Sequence, residues 1–481
     1  MPRRTISLLL TLFALVLAPA ARAGGPEMVL GADDDGVRSP VLVQAKAAAG
    51  LLRLAGFDAV RVTVRWRPGE TAPRPADLTG LRNAETAAAL AGLRVVVALV
   101  PDGPAATPLT PDLQAQFAAV AASLVALFPA FDDLIVGDEP NAAASWLPQL
   151  DAAGGDAAAP AYLQLLTRAY DAVKLVDPGV RVWGGALAPR GGTPPAGADG
   201  IAPAAFVRDL GAAYRAGGRQ APVMDGLAFH PDPGPVAEGP RAARPRSTTI
   251  GVADYDRLVA ALARAFDGTF QLGSELPILY DAFAVQTSPP PGKRARYAGT
   301  ESTTGLLDET RQGADYGTAL RLAFCQPTVA GIAFARGVDD PLLEGSQAGL
   351  FYADRTPKAS FYPVRDALRR ARGGSIARCE GLALDVSPTA VAFPSAAALR
   401  EGLRNVRFSC TLDCAWEVRA LRGDGATLAR RRGFGRAQEP LLASFRGARL
   451  GSGPLRFRLT VTHPVNPGLA ASVESAPVSL R

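Results

Sequence analysis

The chain has 481 residues, long for one hydrophobic core, so more than one folded unit is expected. Its formal net charge is +6, or +3 without Arg3, Arg4 and Arg22 of the N-terminal segment, which gives no warrant for nucleic acid or an anionic membrane as partner. Only two histidines and four irregularly spaced cysteines are present, which argues against a zinc site and a His-based nucleophile triad; no metal or other cofactor is expected.

Residues 1–23 carry Arg3 and Arg4, an apolar run from Ile6 to Leu17, and Ala21-Arg22-Ala23 before Gly24. This is the layout of a secretory signal peptide with cleavage expected after Ala23, and its apolar run is too short to span a bilayer. A secreted or envelope chain without a transmembrane segment follows, and a monomer is expected. In that compartment the even cysteine count predicts disulfides: Cys410 with Cys414 across a tight turn, and Cys325 with Cys379.

From Met28 to Arg372 short β-branched runs alternate with alanine-rich stretches of helical period. The predicted strands are 28–31, 59–64, 94–100, 133–136, 180–185, 225–229, 276–280 and 330–335. Helical stretches such as DLQAQFAAVAASLVALF and DYDRLVAALARAF lie between them. Eight strands each followed by a helix predict an α/β fold, a parallel (β/α)8 TIM barrel over residues 24–373, with a doubly wound open sheet as the alternative. Beyond a linker, GGSIARCEG, the texture changes to short alternating runs such as NVRFSCT and PLRFRLTVTH, which predict a small all-β, immunoglobulin-like sandwich over 380–481. That domain either supports the barrel or binds carbohydrate.

A barrel places its chemistry at the C-terminal ends of its strands, where the loops converge. The second strand carries Arg61 and leads to Trp66, the fourth ends in GDEPN at 137–141, the sixth in FHPDP at 229–233, and the seventh is LPILYDAFAVQT at 276–287. With NAAASWLPQL and AGLFYADRTPKASFYPVRDAL, these motifs resemble a secreted bacterial glycoside hydrolase of the barrel superfamily that includes cellulases, mannanases and xylosidases, over most of residues 28–372. The resemblance implies a carbohydrate, an oligo- or polysaccharide, as partner, hydrolysis of O-glycosidic bonds, and Glu139 as general acid/base. The nucleophile expected on strand seven is replaced by Ala282, the asparagine expected before the acid/base by Asp138, and the aromatic expected two residues after His230 by Asp232.

Retaining hydrolysis needs two carboxyl groups ~5–5.5 Å apart, and inversion needs ~6.5–9.5 Å with water between them; a methyl group serves neither. Asp281 and Asp232 are therefore the candidate partners of Glu139. Adjacent strand residues face opposite sides, so Asp281 replaces a residue at 282 only where the strand ends or bulges. Candidate substrate contacts are Arg61, Asp138, Asn141, Trp146 and His230. Trp146 is either a sugar-stacking platform or a packing residue, and His230 either orients a carboxylate or bonds within the barrel. Asp33, Asp34 and Asp35 read as a solvated turn after the first strand, with room for one member at the pocket rim. Two functions remain open: a hydrolase with Glu139 and an unusual partner, or a non-catalytic glycan-binding or envelope protein.

Overall fold

The computed structural model describes residues 24–195, 199–301, 305–374, 386–411, 414–435, 439–451, 453–462 and 470–479. The signal peptide expected over 1–23, most of the expected linker and Cys379 lie outside the described residues. So does His463.

Eight parallel strands close into a barrel in chain order: β1 (Val29–Asp33), β2 (Ala59–Trp66), β3 (Arg94–Pro101), β4 (Asp133–Val136), β5 (Arg181–Leu187), β6 (Gly226–Phe229), β7 (Ile278–Phe283) and β8 (Val329–Phe334), which pairs back onto β1. The helices are α1 (Leu42–Ala55), α2 (Pro75–Ala91), α3 (Pro111–Leu127), α4 (Ala158–Val176), α5 (Pro203–Ala216), α6 (Tyr255–Phe266), α7 (Glu309–Cys325) and α8 (Phe361–Arg372). The alternative of an open sheet is excluded by the β1–β8 pairing.

Strand alternation divides the core in two. On β2, Val60, Val62 and Val64 belong to the large cluster beneath the helices, whereas Ala59 belongs to the cluster inside the ring with Val96, Ala98, Ile135, Trp183, Ala228 and Leu279. Arg61 shares the inward parity of Ala59, so a guanidinium stands one layer above an apolar plug. On β7 Leu279 faces in while Ile278 and Tyr280 face the helices. Asp281 therefore follows Leu279 inward.

The register of β7 with β8 shifts twice, between Ile278 and Leu279 and again between Tyr280 and Phe283. Because Phe283 rejoins the outer cluster, both Asp281 and Ala282 fall between two outward residues. The irregularity expected ahead of Asp281 is present: the register shifts before it, between Ile278 and Leu279, and again across 280–283, and the carboxylate shares the inward parity of Leu279.

The C-terminal part comprises β9 (Pro388–Ala392), α9 (Ala396–Arg400), β10 (Asn405–Cys410), β11 (Cys414–Arg422), β12 (Thr427–Gly435), β13 (Leu441–Ser444), β14 (Leu455–Thr462) and β15 (Ala470–Glu474). They form two antiparallel sheets, β13-β10-β9 and β12-β11-β14-β15. Val406, Phe408, Val418, Phe457 and Leu459 supply buried inner-face residues, as a sandwich requires. Cys410 is disulfide-bonded to Cys414. Cys325 is also disulfide-bonded. Among the described residues no helix is long and apolar enough to cross a membrane.

Candidate functional site

The loop after β4 carries Glu139, and backbone bonds fix it. Gly137 turns the chain at φ 82°, and Glu139 itself sits at φ 46°, a left-handed conformation that costs a non-glycine residue about 1–3 kcal/mol. Its N–H donates to the Ala186 carbonyl at 2.9 Å, at a point where β5 is itself irregular against β6. Two residues on, the buried Asn141 amide donates to the carbonyls of Ala188 and Ile201, and its oxygen accepts from the Ala188 N–H. Asn141 is thus the clamp that joins this loop to the end of β5.

Inside the mouth two cations organise the acids. Arg61, 7% exposed, donates to Asp33 at 2.6 Å, Asp138 at 3.1 Å, Asp281 at 3.2 Å and the Thr63 hydroxyl at 3.0 Å. His230 lies with Nδ1 2.9 Å from Glu139 Oε1, Nε2 3.0 Å from Asp281 Oδ1, and Nε2 3.7 Å from Asp138 Oδ1. The imidazole stands between Glu139 and Asp281, and the guanidinium takes the other Asp281 oxygen. Asp281 is fully buried, whereas about a third of each of the Asp138 and Glu139 side chains reaches solvent.

The charges respond as this packing requires. Burial disfavours a charged His230, but Asp281, Glu139 and Asp138 outweigh it and hold the imidazole pKa well above its usual range. The surrounding carboxylates therefore favour the protonated form of His230. Burial pushes Asp281 upward, yet His230 and Arg61 overcome it and leave its pKa below the ordinary value. Burial raises Asp33 despite Arg61, and raises Asp138 despite His230 and Arg61.

Asp138, His230 and Asp281 each present one ligand atom within 4.8 Å of the others, a spacing open to a cation. An imidazolium has no lone pair for a metal, and Arg61 already binds both carboxylates. This donor set suits a proton on His230 better than a metal ion.

Asp232 sits apart from this constellation. Its buried carboxylate accepts from Arg190 at 2.6 Å, Arg244 at 2.7 Å and the Gly234 N–H at 2.9 Å, which ties the 235–250 loop to the end of β5. The Gly234 N–H, then Arg244 and Arg190, lower its pKa in spite of burial. Trp146 is 1% exposed and packs edge-on against Tyr162, with ring centroids 5.7 Å apart, so no face of it is presented to a ligand. Trp66 is likewise buried, against Phe117.

The acidic run after β1 has one member at the pocket rim, but its reading as a solvated turn is corrected for Asp34. Asp33 is a direct partner of Arg61, and Asp34 is buried with one oxygen accepting from the Gly36 N–H and the other without a partner among the described residues; only Asp35 resembles a solvated turn residue. The position of Asp33 as the last residue of β1 is the signal that places it at the mouth.

No family model and no curated protein matches the chain. Among solved structures it is similar to a family 39 glycoside hydrolase from Bacteroides cellulosilyticus WH2, at 16% identity and TM-score 0.49 over 91% of this chain and 71% of that one. It is also similar to a GH5_18 protein from Streptomyces cattleya solved in complex with GlcNAc, at 18% and 0.49 over 73% and 81%. A glucosidase from Croceicoccus marinus gives 14% and 0.49 over 92% and 97%. At these scores none of them bears on what this chain does.

Proposed function

We propose that the barrel mouth binds a carbohydrate around Asp138 and Glu139 and does not hydrolyse it by a two-carboxylate displacement. The observation that carries this reading is the imidazole of His230 between Glu139 and Asp281. A nucleophile or base must look across a sugar-sized gap at the acid, whereas Asp281 is buried and both of its oxygens face cations. Asp232 is equally engaged by Arg190 and Arg244. Ala282, at the position where the resemblance implies the attacking carboxylate, has none to offer.

The ring of charges still suits a sugar. Asp138 and Glu139 present carboxylate oxygens that can each accept from sugar hydroxyls, and hydrogen bonds to charged groups are worth about 1.5–3 kcal/mol. Calorimetric titration against a panel of neutral oligosaccharides tests the reading. Saturable binding by the wild type and a roughly tenfold to hundredfold loss in Asp138→Ala and Glu139→Ala are expected. Absence of binding across the panel, or binding indifferent to both substitutions, overturns it.

A further inference from the structure

The modest charge of the whole chain conceals a segregation. Residues 386–481 contain fourteen arginines, no lysine and six acidic residues, a net +8 against +6 for the entire sequence, so the preceding residues are net acidic. Part of that excess is organised on one surface. Strands β12, β11 and β14 place Arg430 opposite Arg419 and Arg419 opposite Arg458, a row of three arginines across three adjacent strands. All three are exposed. Neighbouring strands are ~4.7–4.9 Å apart, so these side chains leave the sheet as close neighbours, and like charges directly opposite one another destabilise a sheet.

The sheet itself offsets this only in part. Glu417 pairs with Arg419 and Arg432, and Glu474 pairs with Arg458. Arg430 and Arg456 pair with no carboxylate among the described residues. The adjoining rows carry Thr460 opposite Ser472, and Ala415 between Thr462 and the exposed Phe434.

We infer that this outer face of the four-stranded sheet binds an acidic polysaccharide, a chain of uronate sugars. Planar guanidinium groups at regular intervals match repeated carboxylates bidentately, the hydroxyl row meets sugar hydroxyls, and an exposed aromatic ring suits the apolar face of a pyranose. A single-stranded nucleic acid is less well served, because one phenylalanine offers no succession of stacking platforms. A bilayer surface is less well served too, since Thr460, Thr462 and Ser472 occupy the positions where inserting apolar groups would stand. The site is separate from the barrel mouth and does not require that the mouth bind anything.

The test uses the full chain and four probes: polygalacturonate, dextran, a short DNA duplex, and vesicles of phosphatidylserine and phosphatidylcholine. The wild type is expected to bind polygalacturonate with an affinity that falls as salt rises, and to bind dextran, duplex and vesicles at least tenfold more weakly. The variant Arg419→Gln/Arg430→Gln/Arg458→Gln is expected to lose at least tenfold in polygalacturonate affinity. The substitutions remove repulsion along the row together with the exposed pairs that Arg419 and Arg458 make with Glu417 and Glu474, two small effects of opposite sign, so its melting temperature should stay close to that of the wild type, and its titration with neutral oligosaccharides should be unchanged. No binding of polygalacturonate, equal affinity in the triple variant, or tighter binding of the duplex or the vesicles would overturn the inference.

Discussion

Replacing Arg61 by methionine removes the cation shared by Asp33, Asp138 and Asp281 while keeping most of the side-chain volume. Asp281 would keep only His230, and Asp33 would lose its ion pair altogether. Breaking a buried ion pair by removing one partner costs about 3–5 kcal/mol, and here three acids lose the same partner. Protonation caps the loss, because burial already raises Asp33 and Asp138 and the variant raises them further.

The sign of the pH dependence follows. With Arg61 gone, the folded state binds protons more tightly than the unfolded chain, so the variant gains stability as pH falls. The wild type does the reverse at Asp281, whose depressed pKa stabilises the fold at neutral pH and ceases to do so as pH falls through that value. The deficit should therefore be about 3–5 kcal/mol at pH 8 and clearly smaller at pH 4. Denaturant unfolding followed by the fluorescence of the buried Trp66, Trp146 and Trp183, in a Trp416→Phe background, reports the barrel alone. A deficit below about 1 kcal/mol at pH 8, the size of an exposed pair, or one independent of pH, would refute the description of Arg61 as the electrostatic centre of the mouth.

Asp34, raised to about 6 by burial, favours the protonated fold, so Asp34→Asn should stabilise the protein by up to roughly 3 kcal/mol above pH 6 and change little at pH 4, as read from melting curves at both pH values. Lys358 and Asp339 form a fully buried pair at 2.8 Å, with the ammonium also donating to Thr287 and the Gln347 carbonyl. Lys358→Met should cost about 3–5 kcal/mol in urea unfolding, and Lys358→Met/Asp339→Leu should recover much of it. Trp146→Ala should destabilise the barrel by about 3–5 kcal/mol yet leave oligosaccharide affinity per folded molecule unchanged in titration, because the ring contributes packing and no binding face.

The ring of strands is readable because most are short apolar, often β-branched runs between alanine-rich helices; DLIV at 133–136 is a strand over the whole predicted segment. The mouth was less readable. Strict alternation counted from residue 282 turns Asp281 away from the mouth, whereas the register of β7 shifts both ahead of Asp281 and across it, and no letter in the strand marks such shifts. Asp232 carries the same letter as a catalytic acid; only the arrival of Arg190 and Arg244 from distant loops makes it a tether. No periodicity encodes such loop contacts. The row of arginines is hidden in the sequence for a different reason: net charge is a sum, and cross-strand register, which decides neighbours, appears only after folding.

Release of reducing sugar from the oligosaccharides that the wild type binds, measured from pH 4 to pH 8, tests the proposed loss of hydrolysis most directly. The account predicts release no faster than in buffer for both the wild type and Glu139→Gln. Sustained turnover by the wild type that Glu139→Gln abolishes would contradict it, because Glu139 would then have found a working partner across the bond despite His230.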